Sequence, residues 1–461
     1  VRYAQHISEL VGNTPLVELS SIARSVPCTV LAKIEYLNPG GSIKDRIATK
    51  IIENAERRGL LKPGGVVVEP TSGNTGVGLA MVALRKGYRC IFVCPDKVSD
   101  EKIRTLEAYG AQVVVTPTAV PPEDPESFYS VSNRLLTEIP GAWKPDQYSN
   151  PDGPEAHYET TGPEIWRDTN GTVTHVVAGA GTGGTISGVG RYLREVARDR
   201  RRGQVRMVLA DPVGSIFSGP EVRPYLVEGV GEDFLPAAFD PSVVDETIAV
   251  TDAESLAMTR KLAEQEALLV GGSSGMIVTA ALRIAQNSPA DSVIVAILPD
   301  SGRGYLSKVF NDEWMRSHGF LRREGQVTVE EMLREKQTQT QGAQDDIVFA
   351  LREVTVREAV ETMRSAGVSQ LPVLTRTPPV RVNEVLGSLS EKSLMRALLD
   401  EEVTLDSRIA SVMDPPFPLV GVGDTAASVM HALTNRDAVL VTDGGSAAGI
   451  LTRADALCWK R

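Results

Sequence analysis

The feature that most constrains this chain is a set of glycine-rich turns, each placed between a short β-branched run and a helix-compatible stretch. They read Asn38-Pro-Gly-Gly-Ser-Ile-Lys44-Asp-Arg, Glu69-Pro-Thr71-Ser-Gly-Asn74-Thr-Gly76, Val176-Val-Ala-Gly-Ala-Gly181-Thr-Gly-Gly-Thr185 and Leu268-Leu-Val-Gly-Gly-Ser273-Ser-Gly275. A strand that runs through such a turn into a helix aims several backbone N–H groups, and the positive end of the helix, at one point. Between these turns, runs at 66–69, 90–94, 112–115, 173–178, 205–209 and 292–298 alternate with helical patterns such as 75–86 and 99–109. That rhythm predicts an α/β core of largely parallel, helix-covered sheets in two subdomains, with ligands at the C-terminal ends of the strands.

Each turn brings its own chemistry. Lys44 opens a helix expected over 43–57, where partial desolvation and the helix end lower an amine's pKa and favour a nucleophile. Taken alone, a lysine beside Asp45 at a helix start is an ordinary surface residue, so its meaning comes from the other turns. Thr71, Ser72 and Thr75 offer hydroxyls and amides suited to a carboxylate, and Asn74 adds a neutral donor. The loop from Gly181 through Thr182, Gly183 and Gly184 to Thr185 is built for a phosphate. It lacks the lysine of a Walker A loop and the last glycine of a dinucleotide fingerprint. Ser273 stands at a further strand-to-helix junction, where a plain helix cap is the bland alternative.

Composition removes several classes of function. A formal net charge of −11 without a basic cluster argues against nucleic acid. Without a long uninterrupted apolar run or a secretory leader, a membrane span is not expected and a cytoplasmic location is. Four cysteines are too scattered for a disulfide framework, and the five histidines show no zinc-ligand spacing, so no structural metal is expected.

Beyond Phe320 the texture turns polar, suggesting a catalytic domain over 1–320, a linker over 321–345 with a helix-compatible piece at 327–335, and a module over 346–461. The module repeats itself, in copies at about 346–400 and 406–461. Val354-Thr-Val-Arg-Glu-Ala-Val-Glu-Thr-Met matches Gly423-Asp-Thr-Ala-Ala-Ser-Val-Met-His-Ala, and each copy continues into a strand and another helix. Two copies can bury each other's open faces.

Together, the turns resemble those of the fold type II pyridoxal-phosphate enzymes that act at the β-carbon of amino acids. The resemblance implies that Lys44 carries pyridoxal 5'-phosphate as a Schiff base, that Asn74 meets the ring oxygen, that Gly181 to Thr185 hold the phosphate, and that Ser273 meets the pyridine nitrogen. Thr71, Ser72, Thr75 and, in Asp146-Gln147-Tyr148, Gln147 would hold the substrate carboxylate. Within this group the chain resembles the cystathionine β-synthases through Gly40-Gly41, through Leu298-Pro-Asp300-Ser-Gly-Arg-Gly-Tyr305 with Asn311-Asp-Glu-Trp314-Met, and through the repeat, which resembles a tandem CBS-domain module. The implied reaction joins L-serine and L-homocysteine into L-cystathionine and water. The alternatives are an O-acetylserine sulfhydrylase (a cysteine synthase) and, from another class, a nucleotide sensor with a decayed core.

At Glu228-Gly-Val-Gly-Glu232 the chain departs from animal synthases, which place tyrosine where Glu232 stands; an acid there suits homocysteine's ammonium group. Haem is not expected, because no cysteine lies within 1–10. The module is expected to bind S-adenosylmethionine through Thr452 and Asp455, where the first copy has Ser390 and Ser393. A homodimer or higher homo-oligomer is also expected.

Overall fold

The computed structural model describes residues 3–71, 73–96, 100–117, 124–198, 203–322, 328–339 and 347–459. It divides into two units, one of Val1–Arg223 with Val227–Leu306, the other of Ser307–Arg461 with Pro224–Leu226.

The first unit contains two sheets. The larger has the strand order Leu16–Glu18, Thr29–Ile34, Val293–Leu298, His175–Gly179, Arg206–Pro212, Glu246–Val250. Its outermost pair, Leu16–Glu18 with Thr29–Ile34, is antiparallel and every other neighbouring pair is parallel. These strands are apolar on both faces because both faces are covered. Ile294, Ala296 and Leu298 pack into one core with helix Gly272–Gln286, while Val295 and Ile297 pack into another with helix Gly184–Val196. The smaller sheet runs Gln112–Thr116, Arg89–Pro95, Val66–Pro70, Ala142–Trp143, all parallel. The mixed α/β, fold type II architecture expected from the sequence is therefore present. Glu246–Val250, Leu16–Glu18 and Ala142–Trp143 are strands that the sequence reading did not pick out.

In the second unit each copy forms a three-stranded sheet, Ala350–Leu351, Gln370–Leu374, Val385–Ser390 in one and Leu419–Gly421, Ala438–Asp443, Ser446–Thr452 in the other. Both pair a parallel neighbour with an antiparallel hairpin, and both hairpins shift register at matching points, Val373/Leu374 and Val441/Thr442. Leu374, Val380 and Val385 from one copy share a core with Leu440 from the other.

The division falls at Leu306, earlier than the expected boundary at 320, and the reason is packing. Helix Asp312–Ser317 lies against strand Leu419–Gly421 so closely that Gly421 has no room for a side chain beneath the Arg316 carbonyl. Thr442 Oγ1 donates to the Ser317 carbonyl (2.6 Å). The helix-compatible piece of the expected linker is a helix, Val329–Gln339, which buries Val329, Met332 and Leu333 in the core of the second copy.

Candidate active site

Lys44 is the first residue of helix Lys44–Arg57, and two local contacts set its position. Ser42 Oγ accepts from the Lys44 N–H (3.2 Å), and the Asp45 carboxylate accepts from the Gly40 N–H (2.5 Å), which closes the glycine turn. The turn is tied to the end of the neighbouring strand Val293–Leu298, because the Ile43 N–H donates to the Pro299 carbonyl (2.8 Å). Burial lowers the Lys44 amine below its ordinary range, and Asp300 and Glu232, both within electrostatic reach, oppose that shift.

Asp300 joins several of the expected site residues. Its Oδ2 accepts from Asn74 Nδ2 (2.8 Å) and from the Tyr305 hydroxyl (2.7 Å), and its backbone carbonyl accepts from the Gly271 N–H (3.2 Å), one residue before the helix that carries Ser273. Oδ1 of Asp300 is buried and has no hydrogen-bond partner among the described residues. Burial is the main cause of the raised Asp300 carboxyl, opposed by Tyr305 and Asn74. A cleft of about 670 Å³ opens beside these groups, lined by Gly40, Asn74, Lys102, Asp300 and Tyr305 among others.

Two of the residues expected to hold the substrate carboxylate, Thr75 and Gln147, lie together. Thr75 Oγ1 donates to Gln147 Oε1 (2.7 Å), and Thr71 is buried at the end of strand Val66–Pro70. Ser72 lies outside the described residues. The Gln147 turn is held by Glu69, whose two carboxyl oxygens accept from the Asp146 and Gln147 N–H groups at 3.0 Å each. Burial pushes the Glu69 carboxyl up to about 7, against the pull of those two bonds.

The loop from Gly181 to Thr185, expected to hold a phosphate, runs directly into a helix start. Gly183 has φ +79°, and a side chain there would collide with Phe239, so only glycine fits. Helix Gly184–Val196 has a glycine, Gly183, at its N-cap and so no side-chain cap from that residue, and the Gly184 N–H donates a long bond to Thr182 Oγ1 (3.5 Å). Thr185 Oγ1 contacts His157 Nε2 (3.2 Å), whose Nδ1 in turn contacts Thr161 Oγ1 (2.9 Å). Burial, then the Arg46 and Lys44 charges, hold His157 well below its ordinary pKa, so a neutral ring orients the threonine.

A desolvated amine and a glycine cradle running into a helix start fit pyridoxal phosphate. Lys44 would carry it, Gly181 to Thr185 would hold its phosphate, and Asn74 and Ser273 stand at the junctions that would face its ring. The fold and these donors define a pyridoxal-phosphate enzyme of fold type II.

Comparison with known proteins narrows the class. The family described as "Pyridoxal-phosphate dependent enzyme" matches residues 7–300, and "CBS domain" matches 343–400 and 409–459. The cystathionine beta-synthase of Apis mellifera is 49% identical over 318 residues, which cover 68% of this chain and 62% of that protein. That of Oryctolagus cuniculus is 40% identical over 435 residues, 93% of this chain and 77% of that protein. Among solved structures, the O-acetylserine dependent cystathionine beta-synthase from Helicobacter pylori is 38% identical with a TM-score of 0.62, over 67% of this chain and 99% of that chain. The chain belongs to the cystathionine β-synthase family of pyridoxal-phosphate-dependent lyases.

Sequence reasoning missed the residues that support this site. Glu69 and Asp300 stood inside quoted motifs, yet nothing local assigned them partners 78 and 226 residues away. In the second unit, Thr452 and Asp455 do come together, in a capping box at the start of helix Arg453–Cys458. Asp455 Oδ2 also pairs with Lys336 Nζ (2.8 Å), from helix Val329–Gln339. The cleft beside that pair holds about 120 Å³, whereas the cleft at Ser390 and Ser393 holds about 450 Å³.

No helix among the described residues is long and apolar enough to cross a membrane.

Proposed function

We propose that this chain condenses L-serine with L-homocysteine to L-cystathionine and water, with Lys44 as the residue that carries the cofactor and moves the α-proton. The observation that carries this reading is the presence, in one unit, of the desolvated Lys44 amine, the glycine turn that opens helix Gly184–Val196 and the Thr75–Gln147 pair. Bound pyridoxal phosphate supplies an electron sink that makes the substrate's Cα–H acidic. Thr71, Thr75 and Gln147 bind the substrate carboxylate and so fix which bond at Cα faces Lys44 Nζ. The lowered pKa of that amine keeps a fraction of it neutral, the form that accepts a proton. Ser273, a neutral partner for the ring nitrogen, suits elimination and replacement better than transamination.

A second reading takes O-acetylserine as the amino-acid donor, because the similar Helicobacter pylori enzyme is described as O-acetylserine dependent. The two differ in whether the leaving group needs a proton, which bears on the inference below.

The catalytic role falls to the first unit and an adenosyl-sensing role to the second, with S-adenosylmethionine as the ligand. Four cysteines left as free thiols agree with a cytoplasmic location. We assign a homo-oligomeric state by family resemblance alone.

The test is replacement of Lys44. Lys44→Ala is expected to fold, shown by an unchanged circular dichroism spectrum, and to lose turnover. Borohydride reduction of the parent followed by peptide mapping should find the cofactor on Lys44. Retained steady-state activity, or a cofactor mapped to another lysine, contradicts the assignment.

A further inference from the structure

Glu232, the acid that stands where animal synthases place tyrosine, lies in a loop of the first unit held beside the Gly181 turn. Its loop, Gly229 to Phe234, is fixed against the phosphate loop, since the Gly231 N–H donates to the Ala180 carbonyl (2.6 Å). On the other side, Ser215 Oγ accepts from the Glu232 N–H (3.2 Å) and the Ile216 N–H donates to the Glu232 carbonyl (2.9 Å). The side chain then points back over the site, so that a β-carbon on Gly181 would stand 3.5 Å from Glu232 Oε1. Its carboxyl lies within electrostatic reach of the Tyr148 hydroxyl and of Lys44. The charged and titratable groups that face it are Lys44, Tyr129, Tyr148 and Asp233.

This placement sets the protonation state. Burial first, and then Asp233, raise the carboxyl to about 7, while Tyr148 and Lys44 oppose the rise. A phosphate dianion held by the Gly181 loop would add negative charge on the same side and further disfavour the carboxylate. A loaded site would therefore contain an acid that is still substantially protonated near neutral pH, within electrostatic reach of the Lys44 amine.

Serine needs such an acid. Its β-hydroxyl leaves as hydroxide unless a proton reaches the oxygen as the C–O bond breaks, and Lys44 is already engaged with the α-proton. We propose that Glu232 carries a proton between the two halves of the replacement, giving it to the departing hydroxyl of serine and taking one back from the thiol of homocysteine. In the first half the Cβ–O bond breaks with its electron pair on oxygen, which takes the Glu232 proton and departs as water. In the second half sulfur forms the bond to Cβ with its own electron pair, and the S–H proton passes to the Glu232 carboxylate. Lys44 returns the α-proton, and the site ends as it began.

The inference rests on the β-replacement reading, so the experiment separates the two. Parent and Glu232→Gln, both loaded with cofactor to the same extent by absorbance, are mixed with serine or with β-chloroalanine in the absence of homocysteine. Chloride leaves without a proton. The change in cofactor absorbance reports the first half-reaction. Glu232→Gln is expected to slow the serine reaction on the order of 100-fold and the β-chloroalanine reaction by no more than about threefold. The parent's serine rate should fall as pH rises through the carboxyl's titration, and this limb should vanish in the variant. Difference infrared spectroscopy should find a protonated-carboxyl band in the loaded parent that the variant lacks. Equal losses with both amino acids, or no such band, overturn the role of Glu232 while leaving β-replacement intact. A parent that reacts with neither amino acid, and forms no cystathionine once homocysteine is added, overturns the β-replacement reading itself.

Discussion

Arg46, two residues past Lys44, links the catalytic lysine's helix to the rest of the first unit through a fully buried ion network. Its guanidinium pairs with Glu35 (2.7 Å) and Glu164 (2.8 Å), and Glu164 also pairs with Lys33 (2.7 Å). Burial pushes the Glu164 carboxyl up, but the hydrogen bond and charge of Arg46, followed by Lys33, outweigh it and hold the group at about 2. A carboxyl whose folded pKa lies below its unfolded value of roughly 4.3 stabilises the fold above that value, and the contribution is lost as pH falls through the folded pKa. Glu164→Gln is expected to lower the unfolding free energy by about 3 kcal/mol at pH 7, since it leaves Lys33 and Arg46 short of a buried partner charge. Urea unfolding of parent and variant should converge as pH drops from about 4.5 toward 2; a gap that stays constant over that window contradicts the network's role. None of this was legible in the sequence. Lys33, Glu35 and Glu164 carry no motif, and only the fold brings them to Arg46.

At the scale of elements, helix Gly184–Val196 shows what the sequence could reveal and what it could not. Its glycine loop carries the expectation of an anion site, while its neighbour, helix Asp152–Glu159, has no relation to it visible in the sequence. The two pack so closely that a β-carbon on Gly188 would stand 2.1 Å from the Pro154 carbonyl oxygen. Gly188→Ala must push the helices apart, at a cost of about 1–3 kcal/mol. Because the same helix starts at the phosphate loop and Thr185 leans on His157 from its neighbour, cofactor affinity should fall as well. Fluorescence titration of the apoprotein is expected to show weaker cofactor binding and a lowered Tm; unchanged values of both mean the contact relaxes at no cost.

Helix Val329–Gln339 is the complementary case. Its periodicity was readable inside a polar stretch, but the sequence did not show that Lys336 would reach Asp455. A nucleoside-sized ligand needs a few hundred Å³, more than the roughly 120 Å³ beside Asp455 and less than the roughly 450 Å³ at Ser390 and Ser393. Calorimetry with S-adenosylmethionine should therefore lose its heat in a variant that fills the first cleft, such as Ser393→Trp, and Lys336→Ala should strengthen any binding that depends on Asp455. Heat unaffected by both changes, or none from the parent, contradicts an adenosyl site in either copy.

Over the whole molecule, two signals carried the sequence reading. Apolar runs on strands covered on both faces announced the parallel sheets, and the internal repeat announced the paired C-terminal copies. Both are local patterns repeated along the chain. What stayed hidden were long-range acceptors and edges: Glu69 under the Gln147 turn, Asp300 joining Asn74 to Tyr305, and Glu232 above Gly181. Glu232 was noticed only because it departs from the animal synthases. The boundary at Leu306 was equally hidden, because helix Asp312–Ser317 follows the first unit's signature in sequence but packs on the second unit's strand. The account as a whole rests on the reaction. Its most direct test is a side-by-side determination of kcat/KM for serine with homocysteine and for O-acetylserine with sulfide, with products separated by chromatography. The account predicts cystathionine as the product and the higher kcat/KM for the first pair; cysteine formed from O-acetylserine and sulfide with the higher value contradicts it.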